Sequence, residues 1–144
     1  MHTLFPYDNL IIGILIFLVG FVFHWVGQFI SVINWKFAAS IGLQEEKMLK
    51  EYKVYEHAIA VSDVLLGWIY GIAGIGLIFN LPWAYKLAFI PGSILVYHSI
   101  SYWFWNINQI KDGNTLNSLS MRIGWTLSNF ITGLLALLIA WNSY

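Results

Sequence analysis

LIIGILIFLVGFVFHWVGQFISVI, residues 10–33, is the stretch that decides the fold. Only His24, Gln28 and Ser31 interrupt its apolar character. About 20 such residues suffice for a helix to cross roughly 30 Å of hydrocarbon. A β-barrel strand would alternate apolar and polar residues over about 10 positions, and this run does not alternate. Helix remains, because lipid offers no partner to an unpaired backbone group. Working outward, three more runs have the same character. Ala58–Phe79 carries Asp63 near its start, Trp83–Trp105 contains Lys86, Pro91 and His98, and the last runs from Ile123 to Trp141. With their flanks the spans are read as 10–34, 57–79, 83–106 and 121–142. The expected fold is all-α: an integral membrane four-helix bundle, with 1–144 as one transmembrane domain.

Composition agrees. Of the 144 residues 59% are hydrophobic and 10% charged, against about 25% charged in soluble domains. The 8 tryptophans and an aromatic share of 18% suit a chain that lines two membrane interfaces. The absence of cysteine excludes disulfides, thiolate metal sites and cysteine nucleophiles. A formal net charge of zero gives nucleic acid no electrostatic attraction. No cleavable signal peptide is expected: the residues before Leu10 hold no basic region, and no small-residue cleavage site follows.

Basic residues orient the spans. Lys36, Lys47, Lys50, Lys53, Lys111 and Arg122 fall in or beside the first and third connections, and Lys86 alone lies toward the other side. That asymmetry places those two connections in the cytoplasm, with both termini and the tight Asn80-Leu81-Pro82 turn outside. In the first connection, Leu43 to Tyr55 interleaves charges with Leu43, Met48, Leu49, Tyr52 and Tyr55 near helical spacing. It is read as a short amphipathic helix on the cytoplasmic surface, the alternative being a solvated extension of the second span. Glu45, Glu46 and Glu51 alternate with lysines as a solvated face. Asp112-Gly113-Asn114 marks a turn in the third connection.

Small residues indicate which faces meet, because they let helices approach closely in lipid. Gly13, Gly20 and Gly27 recur every seven residues, and His24, Gln28 and Ser31 continue their stripe. Glu56, Ala60, Asp63, Gly67, Gly71 and Gly74 form a second stripe; Arg122, Thr126, Asn129, Gly133, Ala136 and Ala140 form a third. The third span has no such stripe. Pro91 can kink it, and His98, Ser101 and Trp105 share a face below that point.

Counted along alternating helices at 1.5 Å per residue, His24, Asp63, His98 and Asn129 fall roughly 9–15 Å below the cytoplasmic boundary. Gln28, Glu56, His57, Arg122 and Thr126 lie between that layer and the cytoplasm. An ionisable group at such depth costs on the order of 3 kcal/mol on insertion scales, so it is usually paired or functional.

Three readings follow. His24 and His98 could be axial ligands of haem b, or with Asp63 hold a divalent metal, since two imidazoles and a carboxylate form a recognised iron set. The layer could instead be structural, with Asp63 accepting from a histidine or from Arg122 and Asn129 bridging helices. Such a chain would be an accessory subunit of a membrane complex or would associate with a second copy of itself. Finally, the layer could line a pocket, with Asp63 and a histidine relaying protons for transport or acting as acid and base on a lipid-like substrate. His57 diverges from Glu56 by about 100° and should face elsewhere. His2 is not expected to be a ligand. The spans carry no residue motif from which an activity would transfer.

Overall fold

The computed structural model describes residues 4–45, 48–114 and 118–143; His2, Glu46 and Lys47 lie outside them. Every regular element among the described residues is helical. The first apolar run is one rod, Asp8–Ile33, made of α1 (Asp8–Leu15), a π-helical segment (Ile16–Trp25) and α2 (Val26–Ile33). A short α3 (Trp35–Ser40) follows, begun by the Asn34 side chain accepting from the Phe37 amide. The second run is α4 (Lys50–Leu66) and α5 (Trp68–Ile78), bent by 41° at Gly67. The third is α6 (Pro82–Leu87) and α7 (Phe89–Lys111), and the fourth is α8 (Leu119–Trp141). Three of these rods are each long and apolar enough to cross a membrane, and the bent α4–α5 pair makes a fourth if it counts as one span.

Among the described residues of 43–55, the expected amphipathic surface helix does not form as a separate element. Leu43 and Gln44 are a bend behind Gly42, whereas Lys50 to Tyr55 belong to α4 and run straight into the apolar segment. No glycine or proline stands between Lys50 and Leu66, so nothing interrupts the helix where it leaves the polar region. Gly42 ends the preceding element. Its φ of 79° is left-handed, and the Leu43 amide closes onto the Ala38 carbonyl, a glycine-terminated helix end.

Pro91 does not kink the lower half of its span either. It occupies the first turn of α7, and the break falls above it, at Ala88, next to the Leu87 carbonyl that Pro91 has no N–H to satisfy. From Phe89 the helix is continuous to Lys111, so the phase of His98 follows from ordinary helical geometry.

Packing divides the molecule along its length. In the half nearer Asn80, backbones touch. A Cβ on Gly13 would lie 2.9 Å from the Gly74 oxygen, and one on Gly133 would lie 2.9 Å from the Gly92 oxygen. These crossings join the first rod to α5 and α7 to α8. Ile12, Leu77, Ala84, Ala88, Ala136 and Ala140 fill the space between with no exposed surface. Asn9 ties the ends together by donating to the Leu77 carbonyl at 3.1 Å, one of the acceptors a helix end leaves open. Nearer the other end large and polar side chains make the contacts between rods, as where the Trp25 indole reaches the Val64 carbonyl. Leu18, Phe23, Leu65, Leu66, Phe104 and Ile131 remain on the outside, an apolar surface suited to lipid.

Candidate functional site

The crossing of Gly13 and Gly74 sets the level of the site. Counting eleven residues along each rod from that contact reaches His24 and Asp63, which puts the two side chains near one level. Two local distortions complete the alignment. The segment before His24 is wound wide, with the Val26 amide bonded to the Phe21 carbonyl five residues back; π-turns of this kind recur at functional sites. Opposite it the second rod bends at Gly67, where an added Cβ would lie 2.5 Å from the Trp25 ring. The Trp25 indole donates to the Val64 carbonyl at 3.0 Å just before that bend. Bend and indole fit each other.

Asp63 lies between two histidines. Nε2 of His24 is 3.2 Å from its Oδ2, and Nε2 of His98 is 2.9 Å from its Oδ1. The imidazole centres are 4.5 Å apart. His24 stacks on Trp125 at 5.9 Å and meets Tyr70 edge-on at 5.8 Å. His24 and Asp63 are buried, and the side chain of His98 keeps 15% of its exposure. When the carboxylate is ionised and both contacts are hydrogen bonds, each Nε2 carries a proton. The Nδ1 of His24 is then a buried acceptor facing no donor.

Three of the four side chains expected at this level therefore converge: His24, Asp63 and His98. Asn129 is fully buried but turns its amide onto its own helix, donating to the Trp125 carbonyl at 2.8 Å, and its Oδ1 has no partner. The histidines, and not Arg122, partner Asp63. Thr126 faces an apolar groove between α7 and α8 on the outer side. His57 is exposed, as its divergence from Glu56 implied. Of the glycines, Gly13, Gly74 and Gly133 make backbone crossings, and Gly20, Gly67 and Gly71 lie under the Tyr70, Trp25 and Phe21 rings. Gly27 has ordinary contact with Leu43 only.

Below the cluster, toward the connections that carry most of the basic residues, a cavity of about 660 Å³ opens between the rods. His24, His98 and Trp125 line it at the level of the cluster, and Glu56 and Gln28 lie on its walls. Gln44, from the bend where an amphipathic helix was expected, closes part of the mouth. It is buried, donates to Ser31 Oγ at 3.1 Å and reaches Gln28 at 3.5 Å. Gln109 and Asn106 are likewise buried lining residues. Gln44, Tyr70 and Trp125 escape a reading by helical stripes. Gln44 lies in a loop, and the two aromatics resemble packing and interface residues in sequence.

The geometry tests the cofactor readings differently. Axial imidazoles approach haem iron from opposite faces of the macrocycle. Here one carboxylate bridges both Nε2 atoms and the rings are 4.5 Å apart, which leaves no slot for a porphyrin. For a single ion, ligand atoms of His24, Asp63 and His98 all lie within 4.8 Å of one another. Comparison of the chain with known protein families, curated proteins and solved structures finds no match.

Proposed function

We propose that the chain is a four-helix membrane bundle that binds a small amphiphile in its intramembrane cavity. In this reading both termini are external and the two basic connections cytoplasmic. The observation that carries it is the cavity itself: about 660 Å³, within the roughly 300–1,000 Å³ of small-molecule sites, located at the depth where a bundle built only for packing would be filled. Its lining supports an amphiphilic occupant. Aromatic and aliphatic walls (Phe23, Trp105, Val19) accept a tail, and Gln28, Ser101, Asn106 and Gln109 offer hydrogen bonds to a head. Glu45 and Glu56 also line it, and no lysine or arginine does among the described residues. That balance disfavours an anionic head and suits a neutral one, such as an alcohol or amide.

The test uses bromine quenching of tryptophan, since Trp105 and Trp125 line the cavity. In nanodiscs, 12-bromododecanol should quench saturably and be displaced by dodecanol, and 12-bromododecanoate should only partition. Gly124 lines the cavity, and a Cβ there would meet nothing within 4 Å. Gly124→Leu should therefore fill the space and abolish the saturable part. Linear quenching by both probes, unchanged in Gly124→Leu, would refute the reading.

A further inference from the structure

We propose that His24, Asp63 and His98 ligate one divalent first-row transition-metal ion of the zinc or iron(II) class. This goes beyond the amphiphile cavity and does not rest on it.

Metal bonds to imidazole nitrogen and carboxylate oxygen are about 2.0–2.2 Å, so neighbouring ligands of a tetrahedral or octahedral ion stand roughly 3 Å apart. The two nitrogen–oxygen distances are 3.2 and 2.9 Å. Hydrogen bonds have similar lengths, so spacing alone does not choose between them.

The donor set and its surroundings point to the metal. Two imidazoles and one carboxylate, delivered by three rods, are the ligand chemistry of iron(II) and zinc. Asp63 and Glu56 are seven residues apart on one face of α4, and Glu56 lines the cavity immediately below the cluster, as does Glu45. Carboxylates grouped this way favour a cation at that level over an anion, with Glu56 acting at a distance and not as a ligand.

The donor set is also incomplete in the way of an open site. Three protein ligands leave at least one position for water or a bound molecule, and two of the three, His24 and His98, line the cavity. Three rods supply the ligands, one each: the π-helical segment, α4 and α7. The backbone contact of Gly13 with Gly74 joins the first rod to α5, which continues α4, and that of Gly92 with Gly133 joins α7 to α8, whose Trp125 stacks on His24. The ligand atoms are thereby brought together before any ion arrives.

The experiment uses the full chain in detergent with a purification tag that contains no histidine. The protein is stripped with chelator, dialysed, and titrated with Zn²⁺ or Co²⁺. One equivalent per chain is expected by elemental analysis, and Co²⁺ should develop visible d–d absorption. His98→Gln, Asp63→Asn and His24→Gln should each weaken binding at least about 100-fold. His57→Ala, which alters an exposed histidine, should leave affinity unchanged. Glu56→Gln should retain the stoichiometry and lose about tenfold in affinity, the lower end of the range for an outer partner.

Absence of stoichiometric Co²⁺ absorption in the wild-type chain overturns the proposal without reference to any variant. So does binding that survives both His98→Gln and Asp63→Asn in proteins whose circular dichroism and elution match wild type. If bromododecanol quenching persists in a chain that takes up no metal, only the metal site falls. If metal binds and quenching is unsaturable, only the amphiphile reading falls.

Discussion

The seven-residue glycine series of the first rod offers a sharp test of the packing, because identical substitutions there meet different surroundings. An alanine Cβ at residue 13 would lie 2.9 Å from both the Gly74 oxygen and the Ile78 nitrogen. Both are backbone atoms and cannot rotate away. Ordinary contact begins near 3.4 Å, so the two rods must part by 3.4 − 2.9 = 0.5 Å. At residue 20 the Cβ would meet Tyr70 Cδ1 at 2.7 Å and Cγ at 2.8 Å. Tyr70 is 1% exposed and has no room to swing. At residue 27 the nearest atom is a Leu43 methyl at 3.7 Å. Overpacking a filled site costs about 1–3 kcal/mol. Glycine to alanine in a helix interior returns up to about 1 kcal/mol, but it does so in all three variants. That contribution cancels between them. Gly13→Ala and Gly20→Ala should each unfold about 1–3 kcal/mol more easily than Gly27→Ala, which should equal or exceed wild type. Unfolding by dodecyl sulfate in mixed micelles, followed by far-ultraviolet circular dichroism, measures the three side by side. Equal stabilities would mean that the first rod does not cross α5 at Gly13, and the shared level of His24 and Asp63 would lose its basis.

Other expectations can be checked in the same preparation. Trp25→Phe removes the indole bond to the Val64 carbonyl and should destabilise by about 1 kcal/mol, read in the same unfolding experiment; no change would mean the bond does not support the bend. Imidazole and carboxylate bind metal only when deprotonated. The Co²⁺ absorption should therefore weaken as the solution is acidified and return on neutralisation, and a band indifferent to acid would point to other ligands. The chain contains no cysteine, so single cysteines report topology without background. In cells, an impermeant maleimide added outside should label Trp83→Cys and Ser143→Cys and should reach Lys50→Cys and Lys111→Cys only after permeabilisation; the opposite pattern would invert the orientation.

Much of the site was legible because depth along a helix depends on residue count alone. His24, Asp63 and His98 could be placed at one level from the lengths of their apolar runs, before anything was known of their contacts. Rotation was harder. A stripe drawn at 3.6 residues per turn does not anticipate the wide turns of Ile16–Trp25 or the 41° bend at Gly67. It also groups Thr126 with Asn129, although the first lines an outer groove and the second is buried. Gly92 belongs to none of the small-residue stripes. Its contact with Gly133 is visible only once α8 is beside it.

The amino-acid sequence by itself determined that this is an apolar helical chain with membrane-length segments, and at what count along each segment its ionisable residues stand. These follow from composition and from a fixed rise per residue, which are local properties. Tertiary structure alone decided that two imidazoles from different rods meet one carboxylate, that Lys50 to Tyr55 extend α4, and that a cavity opens below the cluster. Those outcomes depend on how closely neighbouring backbones approach. Whether a particular glycine meets a backbone, a ring or empty space is set by the partner helix, and no single stretch of chain records it.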